Sequence, residues 1–150
     1  GWLLEIASYY EPKSIVYHYG SPTLNWSSKK FFLLERNRWI CLLTLYSRTT
    51  LLKIFPLLLI VEIGMLGFFI EKRMLVMKIK SFFSIIKLLR KIDKRKKKID
   101  KSRILSDKKI IINFVDDFPL PISTTNLKTS QKVNSIITSL SKLSRKLINF

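Results

Sequence analysis

The chain has 150 residues, enough for one domain with a modest core. It carries 28 Lys plus Arg against 10 Asp plus Glu, a net charge of +18, with 47% hydrophobic residues. That combination argues against disorder, which needs low hydrophobicity, and calls for a polyanionic partner: nucleic acid, a phosphate-rich ligand or an anionic lipid surface. The single cysteine, Cys41, excludes a disulfide framework and a cysteine-rich zinc site. Its apolar surroundings in the sequence make it a small core residue.

Gly1 to Tyr10 reads as the end of an amphipathic helix, with Trp2, Leu3 and Ile6 at helical spacing. It has no initiator Met and is too short and acidic for a signal peptide, so it is expected to continue a longer protein. Glu11-Pro12 breaks the helix, because a residue before proline disfavours helical dihedrals. Ser14 to Tyr19 (SIVYHY) is β-branched and aromatic and predicts a strand. Its alternation sets Ile15, Tyr17 and Tyr19 on one face and Val16 and His18 on the other. Gly20-Ser21-Pro22 ends it as a loop.

Lys29 to Tyr46 is the first long predicted helix, with Ser27 or Ser28 as its N-cap. Its apolar residues go nearly all round the cylinder, the mark of a buried or lipid-facing helix. Glu35-Arg36-Asn37-Arg38 interrupts them, and charges in such a setting need partners or water. Leu51 to Ile70 is the most hydrophobic window and has about the length of a membrane span. Twelve Leu, Ile, Phe and Val residues between Ile54 and Ile70 favour insertion by roughly 6 kcal/mol, and Glu62 near the centre removes about 3. Pro56, Gly64 and Gly67 remove more. Because the following stretch is intensely basic and should stay cytoplasmic, a helix lying in the interface, or a re-entrant one, is the expectation.

Met74 to Leu89 predicts an amphipathic helix with an apolar stripe of Leu75, Ile79, Phe82, Phe83, Ile86 and Leu89, flanked by Lys78, Lys80 and Lys87. It runs into the basic stretch Arg90 to Arg103. There Lys94, Arg95, Lys96, Lys97 and Lys98 suit a membrane surface, at about 1 kcal/mol for each well-placed cation. Ser106-Asp107 caps a short helix through Phe114, and 116–126 reads as a linker. Ser130 is the expected cap of a last amphipathic helix with Val133, Ile136, Ile137, Leu140, Leu143 and Leu147 in its stripe.

Chemistry-bearing residues are few. His18 is the only histidine and has no partners at metal-ligand spacing. There is no Gly-rich phosphate loop and no serine or cysteine nucleophile signature, so no catalytic residue is assigned. Asp116-Asp117 sits in the Pro-flanked linker, and Asn25-Trp26-Ser27 fits a glycosylation sequon that is frequent by chance.

The order PKSIVYHYGSPT, then K-x-x-x-L-E-R-N-R, resembles the C-terminal part of the catalytic region of family 2 glycosyltransferases, particularly the rhamnosyltransferase-like members. Val16, His18 and Ser21 match a strand of the type V-x-H-x-x-S, and Lys29 to Arg38 match the helix that follows it. The resemblance spans about Gly1 to Arg103. It implies a GT-A fold, a divalent metal (Mg or Mn) on the donor diphosphate, and a place for His18 at the metal or diphosphate. A neutral imidazole suits such an ion chemically. Ser21, Arg36 and Arg38 become contacts to phosphate or acceptor; the other reading of the arginines is an internal ion pair with Glu35 or Glu62.

The sequence contains neither a DxD nor the family's acidic base motif. The resemblance therefore implies the C-terminal fragment of an enzyme that moves a sugar from a nucleotide-diphosphate donor to a lipid-linked or polysaccharide acceptor at the cytoplasmic face of a membrane, inactive alone. The expected fold is mostly α with a short β segment. The expected organisation is a catalytic-domain remnant over 1–48, membrane-associated helices over 49–90, a basic arm, short helix and linker over 91–128, and a terminal amphipathic helix over 129–150. The alternative is a non-enzymatic basic amphipathic module that binds anionic membranes. Nucleic acid is disfavoured, because the aromatic residues are not interleaved with the basic run as a stacking platform requires.

Overall fold

A computed structural model describes residues 1–17, 27–114 and 127–149. It is mostly helical: α1 (Ser28–Leu45), α2 (Arg48–Glu71), α3 (Leu75–Ser102), α4 (Asp107–Ile111) and α5 (Leu127–Asn149), after a 3-10 turn at Trp2–Leu4. No strand occurs among the described residues. The predicted strand over Ser14–Tyr19 is therefore not seen at residues 14–17, where Ile15, Val16 and Tyr17 are exposed, and its remainder lies outside the described residues. The physical reason is pairing: β propensity expresses burial against neighbours, and residues 14–17 have no partner strand here. Gly1 to Tyr10 is likewise no helix beyond its one turn. Helical spacing over so few residues does not offset the cost of nucleation.

α1 begins where the sequence expects it. Ser27 is extended, and its hydroxyl accepts from the Lys30 N–H at 3.3 Å, satisfying an orphan donor of the first turn. Tyr46 and Ser47, both extended, make the short link to α2. Ser47 caps α2 by accepting from the Thr50 N–H at 3.1 Å. The link is fastened from outside. Asp107 accepts from the Ser47 N–H at 2.7 Å, Lys96 donates to the Tyr46 carbonyl at 2.7 Å, and Arg103 donates to the Leu45 carbonyl and pairs with Asp107.

At the other end of α2 the chain reverses through Lys72–Met74. Met74 N–H donates to Phe69 O at 2.8 Å, and Arg73 N–H donates to Ile70 O at 3.0 Å. Arg73 has φ 55°. This is the Schellman arrangement that closes a helix with one left-handed residue, usually glycine. The two reversals make α1 and α3 run parallel, with α2 antiparallel to both.

α1 and α3 form the main interface. The face of α3 that packs inward carries Ser81, Ile85, Ile92 and Lys96, all buried. The predicted apolar stripe of α3 is a different face: Leu75, Ile79, Phe82, Phe83, Ile86 and Leu89 are all largely exposed. A single uninterrupted helix crosses the expected boundary between 90 and 91. A second small core joins Ile54 of α2, Ile111 of α4 and Ile148 of α5, with Tyr46, Leu51 and Leu58 against it. α5 begins at Leu127, ahead of the expected cap at Ser130. Cys41 is exposed, not in the core as its apolar neighbours suggested, because the α1 face it occupies is not the one packed on α3. The N-terminal turn docks on the α3–α4 corner, where Ile104 N–H donates to Leu3 O at 2.8 Å and the Trp2 and Phe114 rings lie 5.9 Å apart.

Candidate functional site

Four charges from three helices meet where α1, α2 and α3 converge. Glu35 and Arg38 are three residues apart on α1, which sets them on one face, and their side chains pair at 2.9 Å. Glu62 reaches in from α2 and pairs with Arg38. Lys78, from the first turn of α3, pairs with Glu35 and, at 2.5 Å, with Glu62. The result is a ring of alternating sign and zero net charge. Glu35 is 2% exposed, so its charge is tolerable only because two cations surround it.

Aromatic rings seat the ring of charges. Lys78 Nζ lies 5.7 Å from the centre of the Phe69 ring, and the Arg38 guanidinium 5.6 Å from that of Trp39, both within cation–π range. Phe31 packs on Phe68 and Phe69 at centroid distances of 5.5 and 6.2 Å. Burial pushes the Glu35 carboxyl up, but hydrogen bonds from Lys78 and Arg38 outweigh burial and hold it below the ordinary range. Burial opposes the Arg38 charge, and Glu35 and Glu62 more than offset that, so the guanidinium is held more firmly protonated than usual. One oxygen is left over: Glu35 Oε2 is buried and has no hydrogen-bond partner.

Beside this ring lies a groove of about 640 Å³ between the three helices. Trp39 and Leu43 of α1, Leu66 of α2, and Ile79, Phe82 and Ile86 of α3 make apolar walls, and Glu35, Glu62 and Lys78 also line it. The stripe of α3 that leaves the core thus becomes one wall of the groove.

The sequence-derived candidates separate in space. Glu35, Arg38 and Glu62 come together. Arg36 does not join them: its Nε and Nη2 both donate to Asn37 Oδ1 at 3.3 Å, and its guanidinium lies 5.4 Å from the centre of the Phe32 ring. Among the described residues it has no carboxylate partner, so its charge stays available to an anion. His18 and Ser21 lie outside the described residues, as does the Asp116-Asp117 pair.

The five basic candidates also divide. Lys94, Arg95, Lys97 and Lys98 are exposed, with Lys97 paired to Asp93 at 2.8 Å. Lys96 is 8% exposed and points inward, bonded to the Tyr46 carbonyl and paired with Asp100 at 3.3 Å. Its role is to fasten the α1–α2 link, not to face a membrane.

Sequence reasoning missed Lys78 and Asp107. Lys78 reads as one flanking cation among several; its signal is its position, three residues before Ser81 on the narrow polar line that α3 buries. Asp107 reads as part of a cap for α4. It lies instead against the start of α2, where burial pushes its carboxyl up while hydrogen bonds from Arg103, the Ser47 N–H, Thr50 and the Ser47 hydroxyl pull it below the ordinary range.

Among the described residues no three His, Cys, Asp or Glu side chains converge as a metal site, and Glu35 and Glu62 are committed to cations. α2 is long and apolar enough to cross a membrane by length and composition, and only 17% of its most apolar window is buried. The chain matches no protein-family profile, no curated protein and no solved structure.

Proposed function

We propose that this chain is the C-terminal part of a family 2 glycosyltransferase of GT-A type, which transfers a sugar from a nucleotide-diphosphate donor to a lipid-linked or polysaccharide acceptor. Its helices hold the enzyme at an anionic membrane surface. The observation that carries the enzymatic half is the order of V-x-H-x-x-S and E-R-N-R in the sequence. The geometry is compatible with a division of labour inside E-R-N-R: Glu35 and Arg38 tie α1 to α2 and α3, while Arg36 keeps a free cation on another face. A guanidinium on a rigid, clamped helix is suited to a phosphate oxygen. The donor site and the divalent metal belong to the parent enzyme, and His18 is the residue of this chain assigned to them by resemblance.

The membrane half rests on α2 and α3. Leu52, Phe55, Leu59, Ile63, Leu66 and Ile70 leave an exposed apolar face along α2, and α3 exposes Val76, Ile79, Phe82, Phe83 and Ile86 just before its basic turns. Apolar faces bordered by cations lie in the interface of anionic bilayers. Vesicle flotation tests this half. Binding to phosphatidylglycerol vesicles should exceed binding to phosphatidylcholine vesicles and fall only in part at high salt, because apolar burial is not screened. Equal flotation on both lipids, or complete release by salt, would contradict it. The parent's transfer activity should fall with His18→Ala and with Arg36→Ala; unchanged rates in both variants would remove the proposed roles of these residues.

A further inference from the structure

We infer that the outer face of α3 between Lys87 and Lys101 binds a linear phosphodiester chain through its backbone charges alone. This inference does not depend on the transferase reading or on the membrane reading.

Two lines of side chains run along the exposed side of α3. Leu75, Ile79, Phe82, Ile86 and Leu89 form the first, and their three-and-four spacing leads on to Asp93, Lys97 and Asp100. Both acids of the basic stretch therefore fall on that line, and both are engaged there. Asp93 pairs with Lys97 at 2.8 Å and Arg48 at 3.5 Å, and Asp100 pairs with Lys96 at 3.3 Å. Lys87, Lys91, Lys94, Lys98 and Lys101 form the second line, about a third of a turn round the helix. All five are exposed, and among the described residues none has a carboxylate partner. Arg90 and Arg95, exposed as well, flank them.

Like charges three and four residues apart repel each other, and no contact within α3 offsets that along this line. An external anion does. At 1.5 Å per residue the five ammonium groups extend over about 21 Å, one roughly every 5 Å. A small anion meets one or two of them; an extended chain meets all five. Lysine engages phosphate as a point charge, so a repeating single charge suits the line. Two further observations narrow the partner. The only apolar residues between Arg90 and Lys101 are Ile92, buried, and Ile99, half-buried, so this face has no side chain to insert into a bilayer. No aromatic residue lies between Lys87 and Lys101, so bases find no stacking platform. A phosphodiester backbone is what these cations fit.

The test uses the full chain and a fluorescent abasic deoxyribose-phosphate octamer, which has the backbone without bases, titrated by anisotropy between 50 and 200 mM NaCl. Saturable binding is expected, with log K falling against log salt at a slope of about −3.5, or 0.7 for each of five contacts. Lys91→Glu with Lys98→Glu should bring the slope to about −2 and weaken binding at least about tenfold. Lys29→Glu with Lys72→Glu makes the same change in net charge from exposed positions at the opposite end of the bundle, where Phe31 meets Phe68. It should leave slope and affinity within about twofold, since salt screens over that distance. An oligothymidylate of equal length should bind no more than about threefold tighter than the abasic chain. Circular dichroism checks that both variants keep their helices. No binding of the abasic chain at 50 mM salt, or equal weakening by the two double variants, would overturn the site. Binding of the oligothymidylate more than about tenfold tighter, the range of one stacked base, would overturn recognition by the backbone alone.

Discussion

Removing Lys78 tests the charged ring most severely. Lys78→Met keeps the length of the side chain and its packing over Phe69, but deletes both bridges from α3. Arg38 then faces two carboxylates alone, and the ring carries one net negative charge. Glu35 cannot turn to water, being 2% exposed. Breaking a buried pair in this way costs about 3–5 kcal/mol. The partial exposure of Lys78 and Glu62, 15% and 22% at their side chains, points to the lower end. Protonation sets a ceiling: neutralising a carboxyl of ordinary pKa at pH 7 costs about 4 kcal/mol, at 1.36 kcal/mol per unit.

We therefore expect a loss of about 3 kcal/mol. That corresponds to about 6–12 °C in Tm for a domain of this size, or about 1.5 M in urea midpoint if the slope is about 2 kcal/mol per M. Urea unfolding followed by far-ultraviolet circular dichroism reads it. Adding Glu35→Leu should restore most of the loss, since the pair then becomes apolar and Arg38–Glu62 remains balanced. A loss below about 1 kcal/mol, the range of an exposed pair, or a second loss on adding Glu35→Leu, would refute the reasoning.

Further expectations follow from the same geometry. The Glu35 and Asp107 carboxyls are held below their ordinary values of 4.5 and 3.8; a depressed folded-state pKa gives stability that is present above the unfolded value and lost as pH falls through the folded one. The urea midpoint should thus decline below about pH 4.5, and Glu35→Gln should flatten that decline. Asp107→Ala removes the acceptor of the Ser47 N–H and the partner of Arg103, and should cost about 2 kcal/mol by thermal unfolding. Lys96→Met should destabilise the fold by about 1–3 kcal/mol and leave vesicle binding of the folded protein nearly unchanged, whereas Lys94→Glu with Lys98→Glu should do the reverse. Arg73→Gly should raise stability by about 1 kcal/mol in the same urea assay, because a left-handed position at a helix end is unstrained for glycine alone.

Periodicity made the helices readable and not much beyond them. α1, α2 and α3 are long; Ser27, an expected cap, starts α1 and Ser47 caps α2, whereas α3 starts after Met74 with no side-chain cap. What periodicity could not tell was which face of α3 is the inner one. Its most apolar stripe, Phe82 with Ile79 and Ile86, looks like a core face by composition. The helix instead packs through Ser81 and Ile85, because Lys78 on that side must reach Glu35 and Glu62. That choice is made by charge pairing across residues far apart in the chain, which no local window contains. The same holds for Lys96. Within the run of five consecutive basic residues from Lys94 to Lys98 it is indistinguishable from its neighbours, until the carbonyl of Tyr46 singles it out. Residues 14–17 of the expected β segment are not a strand for the opposite reason: their propensity is local, but a strand exists only with a partner.

The most direct test of the proposed function is calorimetric titration of the in-frame gene product, extended upstream of Gly1, with nucleotide-diphosphate sugars in the presence of Mn²⁺. The account predicts saturable binding that needs the metal and weakens in the His18→Ala variant. An extended product without a DxD motif, or one that binds no nucleotide sugar with metal present, would contradict it.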